Sequence, residues 1–505
     1  MGIDTMTSVT ELPIDALEPM AEWSRSRHLV SSFRRSLAVV SAFVTEWTPF
    51  LLVASYYWVS ICLYILFPPW IMAIFWYIYM ISNFYIASST VLEAFMSIAP
   101  VREARKTITK AQENDWRFPT PDGDLPILDL LIVAYLPNEK DIIMDRALYA
   151  LEKIAYPQHL IRINILYNTP RSIEPLESQL HDLTKKYSHA RVIKVPGSIS
   201  KADNLNYFFT FDTGSDIIAI FDCDHYPHPN NPRWAAERFM SDSAIDIVQG
   251  RCVIFNANAS LQAAMIAVEF DKIYAVSHPG RSAMWGFGLF CGSNGFWRTS
   301  LLRRLRMDGS MLTEDIDSAL RAVSEGAKTV HDMNVVSYEL APTQWPDFWK
   351  QRLRWAQGWA QASTRHLVMS FNKPGEGVRK RGFRTRFGLF SLLLIRELSY
   401  YLVTQYTCLV VSMVITQFPK TPGQLSRLIF FQFPLSEWFF IISLLCLIAT
   451  LYITNRVRSE FVDRWMIVAF SVIYPFYLVL AATIGLYGHA RAVTKYSAWN
   501  PTART

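Results

Sequence analysis

The chain has 505 residues, of which 51% are hydrophobic, 14% aromatic and only 18% charged, and its mean hydropathy is +0.15. This composition is too apolar for an ordinary soluble enzyme and too charged for a protein that lies wholly in a membrane, so it indicates a protein with soluble and membrane parts. The net charge of +6 does not imply nucleic-acid binding, because lysine and arginine flank membrane spans on the cytoplasmic side. The six scattered cysteines form no Cys-x-x-Cys pair, which predicts free thiols in a reducing compartment.

An uncharged stretch from Trp47 to Leu92 is divided by Pro68-Pro69. Each half is long enough to cross about 30 Å of hydrocarbon, which predicts a transmembrane hairpin. Basic residues flank the hairpin at both ends and are absent from its turn, so both ends are expected in the cytosol.

The next part of the chain has the composition of a soluble α/β domain. Strands alternate with helical spacing, which predicts a mainly parallel sheet with right-handed crossovers and a ligand site at the carboxyl ends of its strands. The predicted strands are Ile127–Tyr135, Arg162–Tyr167, Arg191–Val195 and Ile217–Phe221, with a helix at Arg146–Ile154.

The C-terminal part is apolar again and begins with tryptophans and basic residues that suit a membrane interface. The charged pair Arg396-Glu397 predicts either a polar path in the membrane or, as we prefer, an interfacial segment before a span at about 399–418. A further span is predicted at 435–454. The run Met466–Gly488 has basic flanks on both sides, so we expect it to lie along or re-enter the membrane, with a plain fifth span as the alternative.

These patterns divide the chain into six predicted parts. They are a cytosolic N-terminal segment (1–45), a transmembrane hairpin (46–98), a soluble α/β domain (99–343), interfacial helices (344–386), a transmembrane and interfacial region (387–488) and a cytosolic tail (489–505).

Two carboxylates stand at the end of a buried strand, where Ile217–Phe221 is followed at once by Asp222-Cys-Asp224. Residues i and i+2 point to the same side of an extended chain, so both carboxylates can hold one hard divalent ion such as Mg²⁺ or Mn²⁺, which in turn binds a diphosphate. A solvated turn is the alternative, because Asp-x-Asp is a common pattern.

Two segments near this strand offer partners for a diphosphate. Lys201 opens a helix and could reach the phosphates, although a solvated lysine is the plain alternative. The small residues of Phe290–Gly295 let backbone approach a ligand closely, and an ordinary turn is their alternative.

Two later segments offer an acceptor site. Glu314 and Asp315 follow Thr313 and supply a carboxylate as general base, unless Thr313 only caps a helix. A second group, Gln351, Arg354 and Trp355, falls at i, i+3 and i+4 on one helix face. That face suits a phosphate and a sugar ring, or it anchors the chain at the membrane interface.

Four motifs, taken in chain order, resemble those of the family 2 processive glycosyltransferases. Their sequences are most similar to those of bacterial cellulose synthase and its relatives, the hyaluronan, chitin and curdlan synthases. The motifs are Lys201-Ala-Asp-Asn, Asp222-Cys-Asp-His, Thr313-Glu-Asp and Gln351-Arg-Leu-Arg-Trp. The ending Trp499-Asn-Pro-Thr-Ala-Arg is similar to that of hyaluronan- and chitin-type synthases. The resemblance covers residues 125–370 and the membrane layout. It implies an α/β domain of GT-A type, with a Rossmann-like mixed sheet in the cytosol, and a multi-pass helical membrane region.

The resemblance also implies residue roles. Asp315 would be the catalytic base, and Asp222 and Asp224 would hold Mg²⁺ or Mn²⁺ with the donor diphosphate. Asn168 stands where the family usually has an aspartate that contacts uracil. The substrate-binding residues would be Tyr135, Glu139, Asn168, Lys201, Asp222, Cys291, Glu314, Gln351, Arg354, Trp355, Trp499 and Thr502.

The sequence therefore predicts a multi-pass plasma-membrane enzyme with a cytosolic catalytic domain. It would polymerise a β-linked polysaccharide from a nucleotide-diphosphate sugar, with a UDP-sugar expected, and would export the product. Its partners would be the sugar donor, the growing polysaccharide and membrane lipid, with no nucleic acid. The alternatives are a non-processive transferase acting on a lipid carrier and a catalytically inactive assembly subunit.

Overall fold

The computed structural model describes residues 32–372 and 381–494, and its centre is a mixed eight-stranded sheet. The strands are β1 (Leu128–Tyr135), β2 (Ile161–Asn168), β3 (Ala190–Lys194), β4 (Ile217–Asp222), β5 (Tyr226–Pro227), β6 (Ile247–Ile254), β7 (Gly295–Arg298) and β8 (Thr329–Glu339). Their order is β3-β2-β1-β4-β7-β6-β8-β5. The four strands predicted from sequence pair in parallel, whereas β7 runs antiparallel to both of its neighbours. The expected sheet is thus confirmed as mixed, and parallel chiefly in its first half.

The carboxyl ends of the parallel strands meet at one edge of the sheet. The strands β1 and β4 are buried almost throughout because both faces are covered, which explains why their sequences are mostly apolar. In the register, Tyr135 pairs with Asn168, and Val133 pairs with Asp222. Candidate residues that are distant in sequence therefore end at the same level of the sheet.

Helices cover both faces of the sheet. The helices between β1 and the C-terminal apolar region are α3 (Leu136–Glu139), α4 (Ile143–Lys153), α5 (Leu176–Lys186), α6 (Lys201–Phe208), α7 (Asn231–Ser241), α8 (Leu261–Lys272), α9 (His278–Trp285), α10 (Thr299–Leu305), α11 (Glu314–Ser324) and α12 (Trp345–His366). One layer, with α4, α5 and α7, packs on the face that carries Leu130 and Ala219. The other layer, with α6, α10 and α11, packs on the face that carries Leu131 and Ile220.

Long apolar helices make up the rest of the described chain. They are α1 (Ser32–Leu66), α2 (Pro69–Glu113), α13 (Phe383–Phe390), α14 (Arg396–Gln417), α15 (Pro422–Phe430), α16 (Ser436–Val457) and α17 (Arg464–Val493). Within the described ranges, five helical segments are long and apolar enough to cross a membrane, which identifies a membrane protein. The Pro68-Pro69 break separates α1 from α2, as the sequence predicts. At 45 residues, α2 extends about 68 Å and so continues well beyond a bilayer core.

The last helix, α17, packs against the rest of the chain at both of its ends. Near its start, Met466 is buried in a cluster with β6 and α8. Near its end, Gly485 lies against Tyr400, and Gly488 lies against the backbone of α12 at Ala356. By length and hydropathy, α17 is one of the five helices able to cross a membrane, which agrees with the alternative of a fifth span. The position along the membrane stays a prediction.

Candidate active site

The predicted metal ligands lie at the carboxyl end of β4. Asp222 is the last residue of the strand, and Asp224 follows in the turn with 1% of its surface exposed. Ligand atoms of Asp222, Asp224 and His225 all lie within 4.8 Å of one another. The two carboxylates fit a hard divalent ion such as Mg²⁺ or Mn²⁺, which prefers oxygen ligands. The residues present therefore suit the predicted metal.

Lys201 brings a positive charge to these carboxylates. It opens α6, whose N-cap Ser200 accepts a hydrogen bond from the Asp203 N–H at 3.1 Å. Its ammonium group pairs with Asp222 and donates to the Gly292 carbonyl at 2.6 Å. Burial alone would lower the pKa of Lys201, but the charges of Asp222 and Glu314 outweigh burial and raise it. Lys201 is therefore a permanent cation at the carboxyl edge of the sheet.

The loop Phe290–Ser293 joins the metal ligands to the predicted base. The Ser293 hydroxyl accepts a hydrogen bond from the Asp222 N–H at 3.1 Å. Gly292 has a φ of +89°, and a Cβ there would lie 2.9 Å from Asp315 Oδ2. Glycine is required at this position both by its backbone conformation and by the close approach of Asp315. Lys201, Asp222 and Asp315 thus meet around one tight loop.

Gln249 on β6 organises this loop, and the sequence analysis missed it. Its Oε1 accepts from the Cys291 N–H at 2.9 Å, and its Nε2 donates to the Ser293 carbonyl at 3.0 Å. The side chain is fully buried. Gln249 could have been identified from the sequence as a glutamine inside the mostly apolar strand Ile247–Ile254, because a buried amide needs polar partners.

The turn that carries Asp315 is held by α12. Thr313 occupies the N-cap position of α11, but its side chain makes no capping hydrogen bond. It lies instead against Gly358. The Leu312 N–H donates to Gln361 Oε1 at 3.1 Å, and Arg354 Nη1 donates to the Leu312 carbonyl at 3.4 Å. The capping alternative for Thr313 is therefore wrong, and the turn is a tertiary contact between two motifs.

Burial shifts the titration of both acidic residues in this turn. Burial, and then the charge of Asp315, raise the pKa of Glu314 to about 7. Burial also raises the pKa of Asp315, although Lys201 and Arg354 act in the opposite direction. A carboxylate with a raised pKa is a stronger proton acceptor than one in water.

The predicted acceptor face of α12 divides into buried and half-buried parts. Gln351 is 2% exposed, and Trp355 is half-buried. Between them, Arg352 lies over the Trp355 ring at 4.7 Å and pairs with Glu269 at 2.5 Å. Glu269 also accepts from the Tyr477 hydroxyl at 2.8 Å. The sequence analysis missed Arg352, which fixes the tryptophan and ties α12 to α8 and α17.

The predicted nucleotide contacts lie at the ends of β1 and β2. The Tyr135 N–H donates to Glu139 Oε2 at 2.7 Å. Asn168 is 3% exposed, its amide donates to the Ser198 carbonyl at 3.1 Å, and its carbonyl accepts from Asn204 at 3.0 Å. This side chain therefore holds α6 against β2, and a base contact at Asn168 stays a prediction.

Two predicted residues, Trp499 and Thr502, lie outside the described residues.

The charged pair Arg396-Glu397 is satisfied inside the protein. The Arg396 guanidinium lies 3.7 Å from the centre of the Trp359 ring and pairs with Glu397. Glu397 Oε2 lies 2.5 Å from His489 Nε2, and the Tyr401 hydroxyl lies 2.8 Å from His489 Nδ1. This polar cluster connects α14 and α17 to the motif helix α12. Its relation to a polysaccharide path stays a prediction.

We expect Gly358→Ala to destabilise the protein by about 1–3 kcal/mol, the usual effect of overpacking a dense contact. A Cβ at this position would lie 2.4–2.9 Å from three side-chain atoms of Thr313. The matched control is Gly423→Ala in α15, where no atom lies within 4 Å of the added Cβ. Thermal unfolding in detergent should show a lower midpoint only for Gly358→Ala. Equal midpoints would mean that α12 and the Thr313 turn are not in tight contact.

The mixed sheet with Asp-x-Asp at a strand end, a lysine beside it and a buried carboxylate opposite defines a domain of GT-A type. The sequence profile of Glycosyl transferase family group 2 matches residues 217–486, more than half of the chain. The protein belongs to this family.

The curated relatives are glycosyltransferases whose sequences have low identity to this chain. The probable glycosyltransferase YdaM of Bacillus subtilis is 25% identical over 252 residues, which is 49% of this chain and 57% of the relative. A cellulose synthase catalytic subunit (UDP-forming) of Komagataeibacter sucrofermentans is 26% identical over 58% of this chain and 37% of its own length. Glucomannan 4-beta-mannosyltransferase 1 of Oryza sativa subsp. japonica is 27% identical over 39% of this chain and 37% of its own. The matches thus span about half or less of the relatives.

Among solved structures, the mannosyltransferase PcManGT from Pyrobaculum calidifontis, in complex with GDP-Man and Mn²⁺, superposes with a TM-score of 0.46 at 15% identity. The superposition covers 74% of this chain and 99% of that one.

Proposed function

We propose that this protein is a membrane-embedded, metal-dependent, inverting glycosyltransferase that extends a β-linked polysaccharide from a nucleotide-diphosphate sugar. The observation that carries the proposal is the meeting of Lys201, Asp222 and Asp315 around the loop at Gly292. Lys201 supplies a cation for the diphosphate of the sugar donor, Asp222 a metal ligand and Asp315 a base, all within one small volume. The helix α12 holds that base and leads on to the membrane helices.

The residues act in two groups. Asp222 and Asp224 would hold a divalent ion, which would supply positive charge for the diphosphate leaving group. Lys201 adds a fixed positive charge on the same side. Asp315 takes the proton from the acceptor hydroxyl, and the oxygen attacks the anomeric carbon as the nucleotide diphosphate leaves. A single direct displacement inverts the anomeric centre and gives a β-link from an α-linked donor.

A polymeric product is favoured by the position of α12. Its Arg354 contacts the turn of the base, and its Trp359 lies under Arg396 of the apolar helix α14. A sugar chain that leaves the base along this helix meets the membrane helices directly. Arg396 and Glu397 then provide polar groups where the chain enters the bilayer region, and export follows the same route.

The donor is proposed as a UDP-sugar, in keeping with the cellulose synthase relatives. The glucomannan mannosyltransferase relatives favour a mannosyl donor as a second candidate. The test is nucleotide release by purified protein from UDP-Glc, UDP-GlcNAc, UDP-GlcA and GDP-Man, with labelled sugar and Mn²⁺. We expect release from one donor and a high-mass product that a β-glycanase degrades.

The same assay separates the alternatives. Only mono- or disaccharide product at long times would exclude processivity. Labelled product that extracts into organic solvent would indicate transfer to a lipid carrier. No release from any donor, with the protein folded, would indicate an inactive assembly subunit.

The rate of transfer is expected to fall on the acid side at a higher pH than for an ordinary aspartate, because burial raises the pKa of the proposed base Asp315. The base works only when it is ionised, so protonation of the Glu314–Asp315 pair removes activity on the acid side. Glu314→Gln should move this acid limb to lower pH, because Asp315 then loses a like charge beside it. The measurement is the turnover rate against pH at saturating donor. An unmoved acid limb in Glu314→Gln would assign the titration to another group.

A further inference from the structure

A second group of metal-ligating side chains lies behind the Asp222–Asp224 turn. His225, Cys252 and Glu339 offer one ligand atom each, and these atoms all lie within 4.8 Å of one another. All three residues are buried, with 4%, 1% and 8% of their surfaces exposed. They come from three separate parts of the fold, namely the turn after β4, the strand β6 and the end of β8.

The sheet itself brings these side chains together. Cys252 pairs with Ser337 in the parallel register of β6 and β8, so the two side chains share a face. Glu339 is two residues beyond Ser337 and therefore lies on that face as well. His225 reaches the same place from the β4 turn, because its Nδ1 is hydrogen-bonded to Ser337 Oγ at 2.9 Å. The positions are therefore set by strand pairing and not by flexible loops.

One pair of these ligand atoms has the spacing found around a bound ion. His225 Nε2 lies 3.5 Å from Glu339 Oε2. Zinc bonds of about 2.0–2.3 Å in a tetrahedron place neighbouring ligand atoms about 3.3–3.8 Å apart. The Ser337 hydroxyl engages the other ring nitrogen, which is how metal-binding histidines are usually oriented.

We propose that His225, Cys252 and Glu339 form a zinc site that is distinct from the donor-metal site at Asp222 and Asp224. A thiolate and an imidazole select zinc over Mg²⁺, which prefers oxygen ligands. On binding, the thiol proton of Cys252 passes to water, and a water molecule completes the fourth position. The ion fixes His225, and through it the turn that presents Asp224. This inference does not depend on the proposed transfer reaction.

The test is metal content of the full-length protein, purified in detergent, equilibrated with Zn²⁺ and freed of unbound metal. Wild type should retain about one zinc per chain, as three-ligand protein sites do. Cys252→Ala and Glu339→Gln should lose most of it. The control Cys223→Ala removes another buried thiol, one that lies outside the group, and should keep its zinc. Asp222→Asn should also keep it.

Cobalt substitution keeps the test decisive if a variant folds poorly. Co²⁺ in the wild-type protein should show a thiolate-to-cobalt charge-transfer band, which Cys223→Ala retains and Cys252→Ala lacks. Wild type without retained zinc or this band would overturn the proposal. Zinc that is lost with Asp222→Asn but kept in Cys252→Ala would place the ion at the donor site and would overturn it equally.

Discussion

Asp315→Asn is expected to reduce sugar transfer by about 10²–10⁴-fold, the usual contribution of a positioned general base. The amide keeps the shape of the carboxylate but cannot accept the proton of the acceptor hydroxyl. Asp315 lies beside Gly292, whose carbonyl accepts from Lys201, so the change leaves the donor contacts in place. Donor affinity, measured by calorimetry with the nucleotide diphosphate, should therefore change little while turnover is lost.

The matched control for this variant is Asp317→Asn, two residues further along the same helix. Asp317 is fully buried and is held by His366 at 2.8 Å, Arg321 at 2.7 Å and Arg365 at 3.2 Å. Its loss removes a buried carboxylate that holds His366 and two arginines together, so it should lower the unfolding midpoint. Asp315→Asn removes a carboxylate whose pKa burial raises, so its midpoint should not fall. Equal transfer by Asp315→Asn and wild type would exclude the general-base role.

The strand ends of the site could be predicted because each depends on a short stretch of sequence. A strand covered on both faces is an uninterrupted apolar run, and the first polar residue after it marks the carboxyl edge. Asp222 and Tyr135 are found in this way. The parallel pairing of β1, β2 and β4 then follows from the alternation of strands and helices, which is why their candidate residues were correctly expected at one edge.

The contacts that complete the site could not be predicted, because they join residues far apart in sequence. Gln249 holds the Cys291 loop across 42 positions, and Gly358 receives Thr313 from another helix. The sequence around each of these two residues does not predict which residue it contacts. A buried glutamine signals only that partners exist, and a helical glycine signals only close packing. The antiparallel strand β7 was missed for a related reason, since its four residues are too short for a periodic signal.

Asp224→Ala is expected to lower metal-dependent transfer more than about 100-fold, because even residues that only support a metal ligand contribute about 10–100-fold. Asp222 is already paired with Lys201, so it alone is a poor substitute for two carboxylates. Asp224 is buried beside Asp222, so no exposed side chain takes its place when it is replaced by alanine. The measurement is the turnover rate as a function of Mn²⁺ concentration, together with Mn²⁺ binding followed by electron paramagnetic resonance.

The control for Asp224→Ala is Cys223→Ala, between the two aspartates. The Cys223 side chain belongs to the apolar cluster on the opposite face of the turn, so its loss should leave Mn²⁺ binding intact. Asp224→Ala should weaken Mn²⁺ binding and donor binding together, because a bound ion would supply positive charge for the diphosphate. If Asp224→Ala loses transfer but keeps Mn²⁺ binding, Asp224 positions the reactants and is not a metal ligand. Undiminished metal-dependent transfer by Asp224→Ala would show that the metal does not bind at this edge of the sheet.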